Sequence, residues 1–138
     1  MTMRRLLLPL FAVASIAAPQ LAGAQAAKPA LYTADQASAG AAVYSQSCAA
    51  CHGSQLEGVA APALKGSIFG EMANAQGLTV DSLFDVIANT MPQSDPGSLK
   101  PEDYGAVTAY ILQQNGYPAG STALAKGAAG LKETKVTP

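Results

Sequence analysis

The stretch SQSCAACHGSQL, residues 45–56, holds both cysteines and the single histidine of a 138-residue chain. Cys48, Cys51 and His52 stand as C-x-x-C-H. Residues three apart lie on one side of a helical turn, so two thiols can grip one object while the adjacent imidazole reaches past them. A thioredoxin-like C-x-x-C belongs in a βαβ setting at the start of a helix, whereas these cysteines follow a helical pattern and no strand pattern is evident. A structural zinc wants four separated ligands; here Cys51 and His52 are neighbours and only carboxylates remain to complete a shell. A disulfide between the two cysteines would close too small a loop to stabilise much. The pattern fits covalent attachment of a c-type haem, each thiol adding across one vinyl group and His52 reaching the iron.

The N-terminus supports an exported protein. Arg4 and Arg5 precede an apolar run from Leu6 to Ala18 and then small residues, the layout of a secretory signal peptide over residues 1–26. Cleavage after Ala24 or Ala26 satisfies the small-x-small rule, and the second is preferred. The apolar run is shorter than the roughly 20 residues a spanning helix needs, so no stable membrane insertion is expected. No arginine follows Arg5, and the exported chain carries six Lys against nine Asp and Glu. That net charge of −3 argues against a nucleic-acid partner. The 112 residues left after cleavage suffice for one small domain. With no tryptophan and much Ala and Gly, such a chain benefits from a large apolar guest at its centre.

Helical signals flank the motif. Thr33 and Gln36 form an S/T-x-x-E/Q capping box in which Gln36 is expected to reach back, and Ala37, Gly40, Ala41 and Tyr44 follow at helical spacing. Gly40 marks a close helix crossing. From Gly53 to Gly77 the frequent Gly and Pro predict mostly loop with a short helix around 68–73, a length that makes sense if it wraps something. Thr79 caps a helix to about Asn89, with Leu83, Phe84, Val86 and Ile87 as its buried face. Pro101 opens a last helix in which Tyr104, Val107, Thr108 and Ile111 repeat, closed by Asn115-Gly116. Residues 27–120 are read as the domain, and the small, Lys-bearing tail at 121–138 as loosely ordered.

With His52 used and no second histidine in the chain, methionine is the natural second iron ligand of an electron carrier. Met1 and Met3 leave with the signal peptide. Met91 follows a helix, is clamped by Pro92 and is far enough from His52 to approach the other haem face. Met72 better suits a core gap-filler. His/Met ligation raises the reduction potential.

On these residues the chain resembles the class I, monohaem c-type cytochromes over nearly all of 32–120. Gly40 and Tyr44 resemble the family's N-terminal helix, and Tyr110 in VTAYIL the aromatic of its C-terminal helix. The resemblance implies an all-α, cytochrome c-like fold of three to four helices around one covalent haem c. It also implies that the Pro62 carbonyl in APAL receives the second ring N–H of His52, and that Leu64 packs on the haem. The TMPQSDPGSL and YILQQNGYPAG segments are similar to small periplasmic cytochromes that serve dehydrogenases. The implied role is periplasmic one-electron transfer between Fe(III) and Fe(II), with a periplasmic dehydrogenase as donor and a terminal oxidase or another cytochrome as acceptor. Propionate partners would be Tyr104, Lys65 or backbone amides. The rim at 58–64 and the Met91 loop are nearly uncharged, which predicts docking through a small apolar patch. Two other readings compete: a haem c subunit fixed in a larger dehydrogenase, and a haem enzyme or sensor with an open iron position.

Overall fold

The computed structural model describes residues 27–137. The expected signal peptide, with its cleavage at Ala24 or Ala26, lies outside the described residues. Among the latter there are five helices: α1 (Ala34–Ser47), α2 (Ala49–His52), α3 (Gly66–Ala75), α4 (Val80–Thr90) and α5 (Pro101–Gln114). The extra element over the expected three or four is the single turn α2, formed by the motif itself. The one β feature among the described residues is an isolated antiparallel bridge between Thr79 and Lys135. No described helix is long and apolar enough to cross a membrane.

The frame is the crossing of α1 and α5. Ala37, Gly40 and Tyr44 are the buried residues of α1, and Gly40 is where the backbones meet. A Cβ there would lie 1.9 Å from the carbonyl oxygen of Ala106, so only glycine permits this approach. One side of the crossing is filled by Tyr44 and Tyr110, whose rings stand 5.4 Å apart and tilted by 51°. On α5, Tyr104, Val107, Thr108 and Ile111 are all buried as their spacing requires. The Thr108 hydroxyl donates to the Tyr104 carbonyl at 2.8 Å, so its burial leaves no polar group unpaired.

Helix α4 packs on α5 and carries a reciprocal cap that its sequence reading contained only in part. Thr79 Oγ1 accepts from the Ser82 N–H at 3.2 Å, while the Thr79 N–H donates to Ser82 Oγ at 2.8 Å. Leu83, Phe84 and Ile87 are buried, but Val86, expected beside them, is 48% exposed. It stands at the cavity described below, one position around the helix from the core face.

Two further expectations need correction. Thr33 does cap α1, accepting from the Gln36 N–H at 3.2 Å, yet the Gln36 side chain does not reach back. Its Nε2 donates to the Leu124 carbonyl and its Oε1 accepts from the Leu124 N–H, each at 2.7 Å. That clamp belongs to the second correction: the segment after residue 120 is packed, not loosely ordered. Leu124, Leu131 and Val136 are at most 2% exposed. Gly105 makes room for the strap, since a Cβ there would lie 2.7 Å from the Leu124 carbonyl oxygen. Tail carbonyls also meet the N-terminus of α4, whose first N–H groups have no partner within the helix: Val80 donates to Thr134 at 2.9 Å and Asp81 to Leu131 at 3.1 Å. The core therefore runs on to Val136, past the expected domain boundary at residue 120.

Candidate functional site

Where α1 ends, the motif turns the chain into a compact wall. Cys48 is the C-terminal cap of α1, its N–H donating to Tyr44 at 2.9 Å, and its own carbonyl accepts from the N–H groups of Cys51 and His52. The following loop folds back onto this turn. The Cys51 carbonyl accepts from Val59, Ala60 and Ala61 at 2.9–3.2 Å, and the His52 carbonyl accepts from Gly58 at 2.7 Å. Leu56 is fully buried with φ at 61°, a left-handed conformation unusual for leucine that the burial of its side chain must offset. No local sequence signal marked it.

The imidazole of His52 is held by its far side. Its Nδ1 lies 2.8 Å from the Pro62 carbonyl oxygen. A carbonyl only accepts, so Nδ1 carries a proton, and in the neutral ring Nε2 is the nitrogen that presents a lone pair. Such a bond fixes ring orientation and raises the basicity of the free nitrogen, which is what a metal-binding imidazole requires. Beside it, the Tyr44 hydroxyl donates to the Gly53 carbonyl at 2.6 Å. Burial, with smaller contributions from Cys48 and Glu57, pushes that phenol up to about 12, so it remains a neutral donor.

Cys48, Cys51 and His52 line a cavity of about 470 Å³, within the range of sites that enclose a sizeable ligand. A second wall comes from the end of α4, where Met91 caps the helix through its N–H to Ile87 at 3.1 Å. Met91 and the following Pro92, Gln93 and Ser94 line the same space. Between the two walls lie apolar side chains, among them Leu64, Leu83, Ile87 and Ile111. Of the six residues singled out in the sequence, five therefore face one cavity, and Pro62 stands behind His52. Met72 is packed against the hydrophobic core instead. Lys65 and Tyr104 are not lining residues of this cavity; Tyr104 accepts from the Leu99 N–H through its hydroxyl at 3.2 Å. Val86, Gln93 and Ser94 are lining residues without a distinguishing local pattern.

The donor set fits a covalently held haem. Two thiols one turn apart, an imidazole with a free Nε2 and a thioether from a separate helix face an apolar space. The alternatives fit less well. Burial, with the charge of Cys51 as a second cause, pushes the Cys48 thiol up to about 11. A redox-active C-x-x-C has the reverse, a thiol lowered toward neutrality. Both cysteines are free, and among the described residues no group of three or more His, Cys, Asp or Glu is placed to hold a metal ion by itself.

Comparison with known proteins agrees with this geometry. The family model described as cytochrome c oxidase, cbb3-type, subunit III matches residues 35–111, from the first turn of α1 into α5. Among solved structures, the sulfane dehydrogenase SoxCD from Paracoccus pantotrophus shares the fold with a TM-score of 0.55 and 22% identity. The match covers 72% of this chain and 52% of that one, so the chain spans about half of its length. No curated protein matches the sequence.

Proposed function

The chain belongs to the cytochrome c oxidase, cbb3-type, subunit III family, as a monohaem c-type cytochrome with an all-α fold, and from that premise we propose that it is an exported, periplasmic one-electron carrier. The observation that carries this reading is the convergence of Cys48, Cys51, His52 and Met91 on one apolar cavity. Haem c bound there supplies a single iron that takes up and releases one electron between its ferric and ferrous states. Cys48 and Cys51 hold the porphyrin through thioethers. His52 offers Nε2 to the iron, and the Pro62 carbonyl keeps the ring turned for that task. Met91 offers its thioether from the other wall. Leu64, Ile87 and Ile111 exclude water, which favours the less charged reduced state.

A site with both protein ligands in place has no open position for substrate, and the exported chain contains neither a second histidine nor an arginine to act as a distal acid or charge stabiliser. Electron transfer therefore outweighs the open-site enzyme or sensor. The proposed donor is a periplasmic dehydrogenase and the acceptor a terminal oxidase or another cytochrome. The similarity to SoxCD supports the first and the family description the second. Partner docking is assigned to the nearly uncharged mouth, where Val86 lines the cavity and is 48% exposed, and to Val59, 73% exposed and next in sequence to the lining residue Ala60; contacts of this kind are small and depend weakly on salt.

A haemochrome spectrum of the exported protein, followed by redox titration of wild type and Met91→Ala, tests the assignment. Axial ligands set haem potentials over a span of about 0.8 V, so loss of the thioether is expected to lower the potential by on the order of 100 mV or more. An unchanged potential removes Met91 from the iron, and rapid cyanide binding by wild-type protein would favour the open-site reading.

A further inference from the structure

Behind the His52 wall lies a buried polar residue that is not among those lining the cavity. Asn115, the C-terminal cap of α5, is 6% exposed. Its Nδ2 donates to the Leu64 carbonyl at 2.9 Å and to the Ile111 carbonyl at 2.8 Å, and its Oδ1 accepts from the Gly66 N–H at 3.3 Å. Its own carbonyl accepts from Lys28 Nζ at 2.7 Å, and the same ammonium donates to Thr137 at 3.0 Å. Both ends of the described chain thus converge on this residue. A buried amide left without partners costs far more than its bonds contribute when made, so Asn115 and its partners must move together.

The partners of its side chain across the fold are not arbitrary. Leu64 lines the cavity, and its N–H donates to the Leu56 carbonyl at 2.9 Å, so the residue is gripped at both its N–H and its C=O. Two residues earlier is Pro62, whose carbonyl holds His52 Nδ1. A continuous path of bonded groups therefore runs from the end of α5 through Leu64 to the ring of His52. We propose that Asn115 is a positioning residue for the haem wall: by pinning Leu64 and Gly66 it keeps the Pro62 carbonyl on His52 and the Leu64 side chain in the cavity. The role rests on the haem reading of the site. It also requires asparagine specifically, since only a carboxamide of this length donates twice from one end while accepting at the other. Aspartate would face two carbonyl oxygens with no proton to offer, and leucine would fill the volume without a bond.

Hydrogen exchange measured by NMR on the haem-bearing protein tests the role. Asn115→Asp and Asn115→Leu should each speed exchange of His52 Nδ1–H and of the Leu64 amide by about tenfold or more relative to the Leu83 amide of α4. Gln36→Ala, which removes two bonds of the tail clamp, should leave that ratio within about twofold. Equal acceleration at His52 and Leu83 in the Asn115 variants, or none at His52, overturns the proposal. Should those variants fail to fold, wild-type exchange across a denaturant series decides: His52 Nδ1–H, Leu64 N–H and Gly66 N–H should open together, and separate openings overturn it. The haem reading is judged by haemochrome absorbance alone, so an unchanged ratio in haem-bearing protein refutes only the positioning role.

Discussion

His52 and Met91 face the same cavity, but the walls that carry them are held by different means. The His52 wall is mostly short-range in its bonds: Cys51 and His52 bond to the loop at 58–62, and Leu64 bonds back to Leu56. It is an extension of α1, and its place in the molecule follows from one crossing at Gly40. The Met91 wall sits at the far end of α4. That helix packs on α5, and its N-terminus is bonded by the carbonyls of Leu131 and Thr134 from the other end of the chain. A wall closed mostly by neighbours in sequence needs its own loop, the crossing at Gly40 and one clamp from afar, that of Asn115 on Leu64 and Gly66. A wall closed by distant groups needs the whole chain to be in place, including a tail with no chemistry of its own.

The largest expected effect breaks the frame that both walls share. Gly40→Val places a branched side chain where a Cβ already meets the Ala106 carbonyl at 1.9 Å. Backbone cannot yield as a flexible side chain does, and a loss of about 3 kcal/mol or more in chemical denaturation is expected, with both walls loosened together. Stability within about 1 kcal/mol of wild type would place the crossing elsewhere.

Leu131→Ala separates the walls. Leu131 is 1% exposed and its carbonyl accepts from the Asp81 N–H, so truncation should cost about 2–5 kcal/mol. Amide protection should fall more at Leu83 and Ile87 of α4 than at Cys51 and His52. Equal losses would show that the tail supports the frame as a whole and not the Met91 wall in particular. The smallest effect is expected from Lys126→Ala. The Lys126–Asp85 pair is 3.2 Å apart, but its side chains are 66% and 44% exposed. Solvent screening limits such a pair to roughly 0.5 kcal/mol, with less at high salt. A loss above about 1 kcal/mol would mean that charge rather than burial anchors the strap to α4.

These differences also explain what could be read from the chain before its fold was known. The motif, the caps at Thr33 and Thr79, Pro101 and the helical spacing in α5 are local signals, because helix starts and ligand spacings are set within one or two turns. The small-residue stripe of α1 identified Gly40 as a crossing point, although the partner there, the Ala106 carbonyl, is backbone and carries no side-chain signature. Gln36 misled for a related reason. Its spacing from Thr33 matches a capping box, yet an amide side chain bonds to whatever donor and acceptor reach it, and the backbone of Leu124 offers both.

The segment after residue 120 was illegible because its apolar residues are few and far apart. Leu124, Ala128 and Leu131 fall at helical spacing, but Gly127 and Gly130 interrupt it and Val136 lies off it, so the pattern reads as a solvated tail. Their burial arises from grooves that other elements create, at Gly105 and beside α4. Asn115 escaped notice likewise: as a residue before glycine it reads as a helix end, which it is, while its bonds to Leu64 and Gly66 depend on a loop some fifty positions upstream. The sequence by itself determined the chemistry, two thiols, an imidazole and a distant thioether, together with the helices that carry them, because spacing and capping act over a few residues. Only the tertiary structure decided which groups hold those helices in register, since buried hydrogen bonds and close backbone contacts depend on what three-dimensional packing brings within about 3 Å.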